Sequence, residues 1–257
     1  MIILNMQFFA GDKDRAMALS RLIADLEPVP RTDAIFLFTA RFDCEHDPQT
    51  IEYVSKKFPV LTYRTKRKVE GWPNGPNQMM ACSYEHLVEL WKRAKLKADA
   101  ILFMEADCVP LKANWISLLY DEFKASGKSV SGAWLKKGDA NGEHVNGNCV
   151  VAMNFFRRCP AMLHPPSRGG WDATLSYAIL PNAHPSKLIW SDYQLGMDHN
   201  PWRGDDYLWA PKRYGAPDNA LYGIDLYPAW FHGIKTDQGL KAARKRLIDE
   251  PQNYAHT

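Results

Sequence analysis

The segment Ala100–Pro110 most constrains what this 257-residue chain can fold into. Its first five residues are all apolar, and so short an apolar run predicts a strand buried on both faces. Glu105 and Asp107 follow at once, and residues two apart in extended chain point to the same side. Helical spacing then returns over Asn114–Lys124. We therefore expect a central strand that Pro110 ends, with both carboxylates at its carboxyl end, where open α/β sheets bind their ligands.

Two carboxylates at a strand end indicate a divalent metal site. Mg²⁺ and Mn²⁺ prefer oxygen ligands and often share them with substrate phosphates. His232 is the best candidate for a further ligand, because it follows the apolar run 226–231 and precedes a glycine. The alternatives are a polar strand end in which Asp107 caps a turn and a structural, hydrogen-bonded histidine. The pattern therefore makes Glu105, Asp107 and His232 candidate metal ligands.

Strands and helices alternate along the first half of the chain. Strands are predicted at Ile2–Phe9, Ala34–Thr39, Val60–Tyr63 and Ser129–Leu135, and helices at Gly11–Leu26, Asp47–Lys57 and Gln78–Lys95. This order is typical of an α/β fold with a mixed, mostly parallel sheet flanked by helices. The length suits a single domain. We expect residues 1–107 to form a nucleotide-binding half and residues 108–257 a half that binds a second substrate.

Composition and charge exclude several classes of protein. The net charge of +3 permits an anionic partner without requiring one. Five cysteines, an odd number without CxxC spacing, argue against a disulfide framework and a zinc site. No signal peptide is evident, and no apolar run approaches membrane-spanning length. We therefore expect a soluble, cytoplasmic protein with no membrane partner.

A basic run after the third predicted strand leads into a glycine- and proline-rich loop. This stretch is suited to close over a diphosphate, and its candidate binding residues are Arg64, Trp72, Asn74, Gly75 and Asn77. The indole suits stacking, the amides suit directional hydrogen bonds, and glycine permits close backbone approach. The alternative is a solvated loop that only begins the following helix, with Asn77 as its N-cap.

Two later loops carry polar side chains at high density. His144, Asn146 and Asn148 precede an apolar run, and this spacing suits recognition of hydroxyl groups. Trp171 offers an aromatic platform for a sugar or a base. Asp172 is a candidate general base, and the alternative is a carboxylate that stabilises a helix N-terminus.

These residues carry a resemblance to a known family. The strand ending in Glu105-Ala106-Asp107, followed by a helix containing Trp115, resembles the metal-binding acid-x-acid motif of GT-A glycosyltransferases. The turn Thr39-Ala40-Arg41 resembles their nucleoside-binding edge, and His232 falls where that family often supplies a metal ligand. The resemblance spans roughly residues 34–232. In this family the first acid of the triplet often contacts the ribose and the second holds the metal. The resemblance therefore assigns the metal to Asp107 first and a ribose contact to Glu105, although Glu stands here in place of the usual first Asp.

The resemblance implies transfer of a sugar from a nucleoside diphosphate sugar, most simply a UDP-sugar, with Mn²⁺ or Mg²⁺. An inverting displacement would use Asp172 as base, whereas a retaining one needs no base. The loops 71–77, 144–148 and 170–172 together also resemble those of small bacteriophage-encoded glycosyltransferases. This resemblance implies 5-hydroxymethylcytosine in double-stranded DNA as acceptor. Basic and aromatic residues in the second half suit such a polyanion. They are Trp171, Trp202, Trp209, Arg157, Arg158, Arg168, Lys187, Arg203, Lys212 and Arg213.

Three alternatives stay open on the sequence. The first is a glycosyltransferase that acts on a glycan or a small molecule. The second is a sugar-nucleotide pyrophosphorylase, although the loop after Phe9 has only Gly11 where such enzymes usually carry a glycine-rich signature. The third is a non-enzymatic nucleic-acid binder, against which the acidic pair counts because it repels phosphates.

Overall fold

A computed structural model of the chain describes residues 1–135, 142–165, 167–191, 229–233 and 237–249. The helices are α1 (Lys13–Asp25), α2 (Pro48–Ser55), α3 (Asn74–Lys92), α4 (Trp115–Ser126), α5 (Trp171–Thr174), α6 (Ser176–Ile179) and α7 (Asp237–Arg244). The strands are β1 (Ile2–Phe8), β2 (Ala34–Ala40), β3 (Val60–Arg64), β4 (Ala100–Glu105), β5 (Cys108–Pro110), β6 (Val130–Gly132), β7 (Trp134–Leu135), β8 (His144–Val145), β9 (Val150–Ala152), β10 (Ala183–Pro185), β11 (Ile189–Ser191) and β12 (Trp230–His232).

Seven strands form the main sheet, in the order β10-β6-β9-β4-β1-β2-β3. Neighbouring strands are parallel except at β9, which runs antiparallel to both β4 and β6. A smaller sheet holds β12 between parallel β11 and antiparallel β5. Strands β7 and β8 pair antiparallel. The mixed, mostly parallel sheet confirms the predicted fold class.

The central strands are buried on both faces, as their apolar runs predict. Alternate residues of β1 face opposite sides, so Ile2 and Leu4 pack with α1, α2 and α4, whereas Ile3 packs with α3. Each fully buried side chain of this size contributes about 1.5–3 kcal/mol. Asn5 and Gln7 are polar exceptions, buried on the α3 face of β1.

Helix α3 begins at Asn74, four residues before the predicted start at Gln78. The Gly75 N–H donates to the Gly71 carbonyl, and the Asn77 N–H donates to the Pro73 carbonyl. Asn77 therefore lies inside the helix, and its expected role as N-cap is wrong. Pro76 fits in this first turn, where the missing N–H costs no helical hydrogen bond.

The strand predicted at Ser129–Leu135 is two short strands, β6 and β7, which belong to different sheets. Between β6 and β7 the Ala133 carbonyl accepts a hydrogen bond from the Asn146 N–H at 2.9 Å. The loop that follows β8 therefore occupies the place where a continuous strand would pair. None of the described helices is both long and apolar enough to cross a membrane. The predicted irregular segment Asp198–Asn219 lies outside the described residues.

Gly132 allows β6 to pack closely on the loop that precedes β9. A Cβ at this position would lie 2.6 Å from the Cys149 Cβ and 2.7 Å from the Val145 Cγ1. We predict that Gly132→Ala lowers the free energy of unfolding by about 1–3 kcal/mol, because this part of the core is already full.

Gly75→Ala is the matched control for urea unfolding. Its Cβ would lie 3.3 Å from the flexible end of the Arg41 side chain and 3.6 Å from the Glu70 backbone, which is ordinary contact, and the residue lies in a helix. We expect it to lower the free energy of unfolding clearly less than Gly132→Ala does, because the Arg41 side chain can move aside and alanine favours a helix. Equal effects of the two substitutions would contradict the packing argument.

Candidate active site

The carboxyl end of β4 brings three candidate metal ligands together. Glu105 ends β4, a turn at Ala106 and Asp107 follows, and β5 then pairs with β12 so that Cys108 lies opposite His232. In the described part of the chain, one ligand atom from each of Glu105, Asp107 and His232 lies within 4.8 Å of the other two. Residues far apart in the sequence thus meet at one sheet edge.

Strand β12 is fixed by packing and by a glycine turn. Trp230 stacks on Trp115 of α4, with ring centroids 4.4 Å apart, and both indoles are fully buried. Gly233 has a φ of 121°, a conformation that favours glycine, and its N–H donates to the Asp107 carbonyl at 3.0 Å. Pro110 does not end the central strand as expected, because it lies opposite Trp230 in β5.

His232 is oriented towards the carboxylates. Its Nε2 lies 3.4 Å from Glu105 Oε2 and 3.4 Å from Asp107 Oδ1, while its Nδ1 contacts Ser191 Oγ at 3.2 Å. Burial opposes a charge on this imidazole, but the two carboxylates outweigh burial and raise the pKa of His232 to about 10. At neutral pH the metal-free protein therefore holds a cation among the carboxylates.

Asn148 holds the end of β4 in place. Its Oδ1 accepts from the Glu105 N–H at 2.8 Å, and its Nδ2 donates to Glu105 Oε2 at 3.2 Å. Asn146 Oδ1 in turn accepts from the backbone N–H and the Nδ2 of Asn148. Both amides are buried. These two residues, expected to contact an acceptor, thus also orient a candidate metal ligand.

Asn77 ties α3 to the loop that carries Asp172. Its Oδ1 accepts from the Trp171 N–H at 2.8 Å, and its Nδ2 donates to the Gly169 carbonyl at 3.0 Å. Asp172 accepts from the Gly147 N–H through Oδ2 at 2.8 Å and from its neighbour's N–H through Oδ1. Helix and loop together hold the Asp172 carboxylate in one orientation.

The environment of Asp172 favours a base. Burial raises the pKa of its carboxyl group above the ordinary value, although the nearby His144 acts in the opposite direction. The His144 Nδ1 lies 2.7 Å from the Gly142 carbonyl, so this nitrogen donates a hydrogen bond to the carbonyl oxygen. A carboxylate with a raised pKa takes up a proton more readily near neutral pH.

These side chains surround one pocket with a volume of about 280 Å³. Its lining includes Gln7, Trp72, Asn77, Glu105, His144, Asn146, Asn148, Trp171, Asp172 and His232. Trp72 is 70% exposed, so its indole lies at the rim and is open to a ligand. The pocket thus brings together two of the candidate metal ligands, Glu105 and His232, with the candidate base Asp172 and hydrogen-bonding amides.

The other candidate donor-binding residues do not line this pocket. Arg41 lies beside it, with its guanidinium 4.6 Å over the Phe9 ring and paired with Asp43. Gly75 adjoins the Arg41 guanidinium. Thr39 and Ala40 are fully buried, Asn74 lines a neighbouring groove, and Arg64 pairs with Glu45.

Two residues near the site escaped the sequence analysis. Gln7 lines the pocket from β1. Asp12 accepts from the Phe9 N–H at 2.8 Å, and burial, aided by the nearby Glu105 and Asp107 charges, raises its pKa to about 6. Both are polar residues at or just after the end of an apolar strand, which is a usable signal, but the sequence pattern assigns Gln7 to the strand and Asp12 to the start of a helix.

Of the basic residues expected to bind a polyanion, none that the structure describes lines the pocket. Strand β9 runs antiparallel to β4 and therefore away from the site. Arg157 follows β9 at the opposite end of the strands, where its guanidinium lies 5.6 Å over the Trp91 ring. Arg158 there donates to Asn182. Arg168 and Lys187 are exposed. Trp202, Trp209, Arg203, Lys212 and Arg213 lie outside the described residues.

No protein-family model and no curated protein matches the chain. Among solved structures, the glycosyltransferase GlyE of Streptococcus pneumoniae TIGR4 matches with a TM-score of 0.50 and 10% identity, over 92% of this chain and 55% of GlyE. S. aureus TarS 1–349 matches with a TM-score of 0.47 and 12% identity, over 70% of this chain and 55% of TarS 1–349. The mannosyltransferase PcManGT from Pyrobaculum calidifontis, solved with GDP-Man and Mn²⁺, matches with a TM-score of 0.46 and 8% identity, over 68% of this chain and 50% of PcManGT.

The chain spans about half the length of these structures. The similarity to GlyE extends over nearly all of this chain, and the parallel strands β4-β1-β2-β3 form one half of the main sheet. The chain therefore has the GT-A fold of glycosyltransferases.

Proposed function

We propose that the protein is a metal-dependent glycosyltransferase that moves a sugar from a nucleoside diphosphate sugar to an acceptor hydroxyl. The convergence of Glu105, Asp107 and His232 beside Asp172 carries this proposal. The GT-A fold supports it, because GlyE is itself a glycosyltransferase. The turn 39–41 resembles a uridine- or guanosine-binding edge, and we propose a UDP-sugar as the donor. Residues 1–107 would bind the donor and residues 108–257 the acceptor.

The three candidate ligands fit Mn²⁺ or Mg²⁺. Ligand atoms about 2.1 Å from one ion lie about 3–4 Å apart, and the His232 Nε2 is 3.4 Å from each carboxylate oxygen. Carboxylates suit both ions, and the imidazole is compatible with Mn²⁺. Asp107 and His232 would hold the ion, with Glu105 completing the set. When bound, the ion neutralises the departing diphosphate as a Lewis acid.

The protein's own groups would complete the transfer. The acceptor oxygen forms a bond to the anomeric carbon while the bond from that carbon to the diphosphate oxygen breaks. Asp172 accepts the hydroxyl proton, and the nucleoside diphosphate departs with the bonding electron pair. Each Asp172 oxygen accepts one backbone N–H, which leaves a lone pair on each for this proton. The geometry suits an inverting displacement.

The acceptor is proposed to be a hydroxyl on a glycan or a small molecule. Amide groups of the pocket suit hydroxyls, and Trp171 suits the apolar face of a sugar ring. Carboxylates at residues 105 and 172 would repel a polyanion. DNA containing 5-hydroxymethylcytosine is the second candidate, favoured by the exposed Trp72 indole at the rim and the exposed Arg168.

One assay separates these acceptors. The protein is incubated with Mn²⁺, a panel of UDP- and GDP-sugars, and either glycan acceptors or hydroxymethylated and unmodified DNA. Mass spectrometry of the acceptors, including nucleosides, identifies an added sugar. Formation of sugar nucleotide from sugar phosphate and nucleoside triphosphate would instead identify a pyrophosphorylase, and the absence of any turnover would contradict the proposal.

Asp107→Asn should lower turnover at least about a hundredfold, because the ion loses its most buried carboxylate ligand. Steady-state kinetics with added Mn²⁺ measure the loss. Asp121→Asn on the exposed side of α4 is the matched control and should keep wild-type activity. Full activity of Asp107→Asn in the presence of a chelator would sink the metal mechanism.

Metal binding should release about one proton per ion at neutral pH. The pKa of about 10 keeps His232 protonated in the metal-free protein, whereas a metal-bound imidazole is neutral. Affinity should therefore rise with pH from about 7 towards 10. Calorimetric titration in buffers of different ionisation enthalpy counts the protons. His232→Gln should bind the ion more weakly and release none, and buffer-independent heats for the wild type would contradict the assignment.

Asp172→Asn should lower kcat by about a hundredfold or more while leaving metal affinity unchanged, because the amide keeps the shape of the side chain but cannot take up the proton. Steady-state kinetics and metal titration of the same variant provide both readouts. Unchanged kcat would assign Asp172 a structural role and favour a retaining reaction.

A further inference from the structure

Gln7 provides a buried amide on the floor of the pocket. It lies at the carboxyl end of β1, is 6% exposed, and lines the cavity. On the neighbouring parallel strand it is in register with Glu105, and on the other side with Thr39. Adjacent strands lie about 5 Å apart, so Gln7 and Glu105 are neighbours on the same face of the sheet.

A chain of hydrogen bonds beneath the pocket holds this amide. Thr39 Oγ1 donates to Asn5 Oδ1 at 2.7 Å, and Asn5 Nδ2 donates to Ser83 Oγ at 2.9 Å. Ser83 Oγ donates to the Met80 carbonyl at 3.0 Å, and Gln7 Nε2 donates to Ser83 Oγ at 3.4 Å. Asn5, Thr39 and Ser83 are fully buried, so water does not compete for these bonds.

The network determines which end of the Gln7 amide faces the pocket. The Ser83 hydroxyl directs its proton to Met80, so its oxygen only accepts from its two amide partners. Turning the Gln7 amide over would bring two oxygen atoms together. Nε2 therefore faces Ser83, and Oε1 faces the cavity. Among the described residues no group donates to this oxygen.

We propose that Gln7 determines donor specificity by accepting a hydrogen bond, through Oε1, from one hydroxyl of the transferred sugar. This inference rests on the proposed function. Glu105 belongs to the group that would hold the metal and hence the diphosphate, and the sugar is attached to that diphosphate. The hydroxyl nearest the floor of the pocket is then presented to the neighbouring strand end. A donor that lacks this hydroxyl leaves a buried acceptor unpaired and is rejected.

Gln7→Leu tests the inference, because leucine removes the amide and retains most of its volume. The substrates are an accepted sugar nucleotide, its monodeoxy analogues and its epimers. For the wild type, kcat/KM should fall about tenfold to a hundredfold for one monodeoxy donor. Gln7→Leu should lose a similar factor with the parent sugar and should turn over parent and deoxy donors within about twofold of each other.

Two serine variants separate positioning from general damage. Ser83→Ala releases the Gln7 amide and should weaken discrimination at the same hydroxyl. Ser20→Ala is the matched control, because Ser20 is equally buried in α1, donates to the Ala16 carbonyl at 2.7 Å, and lies away from the pocket. It should keep wild-type discrimination. Should Gln7→Leu fail to fold by circular dichroism, Gln7→Asn withdraws the amide by one methylene and should show the same loss.

The possible failures are distinct. Turnover by the wild type, with hydroxyl discrimination unchanged in the Gln7 variant, overturns this inference alone. Loss of discrimination only towards deoxy acceptors, and not towards deoxy donors, also overturns it. No turnover of any sugar nucleotide by the wild type overturns the proposed function and this inference together.

Discussion

Negative charge at the carboxyl ends of β1 and β4 is the constraint on which the site depends. Glu105 and Asp107 are held near Asp12, and their charges act together with burial to raise the pKa of Asp12 to about 6. The metal-free protein offsets this repulsion with His232, whose raised pKa keeps it cationic despite burial. A divalent ion offsets the same repulsion more fully. The charge pattern therefore selects for a cation whether or not substrate is present.

The position of that cation depends on short elements outside the main sheet. Strand β12 has three residues, and the register of its antiparallel pairing with β5 sets the position of His232 relative to Asp107. The stacked indoles of Trp115 and Trp230 fix the rotation of this small sheet against α4. A shift of one residue in this register would turn the imidazole to the opposite face.

Asparagine and glutamine amides connect the layers of the site. Asn77 joins α3 to the loop that carries Asp172. Asn148 joins the loop before β9 to Glu105, and Gln7 joins Ser83 of α3 to the pocket. An amide carries donor and acceptor groups on one rigid plane, so it satisfies a backbone N–H and a carbonyl at once. Such buried networks orient the reacting groups before a ligand arrives.

The sequence by itself determined the apolar strands, their alternation with helices and the carboxylates at the end of β4, because hydrophobic periodicity is a local property. It misplaced the start of α3, where the tertiary contacts of Asn77 prevail over the loop propensity of its neighbours. Only the tertiary structure decided that His232 meets Asp107, that Gln7 reaches the pocket, and that Arg157 lies at the opposite end of the strands. These outcomes follow from strand order and direction, which join residues distant in sequence and leave no local pattern.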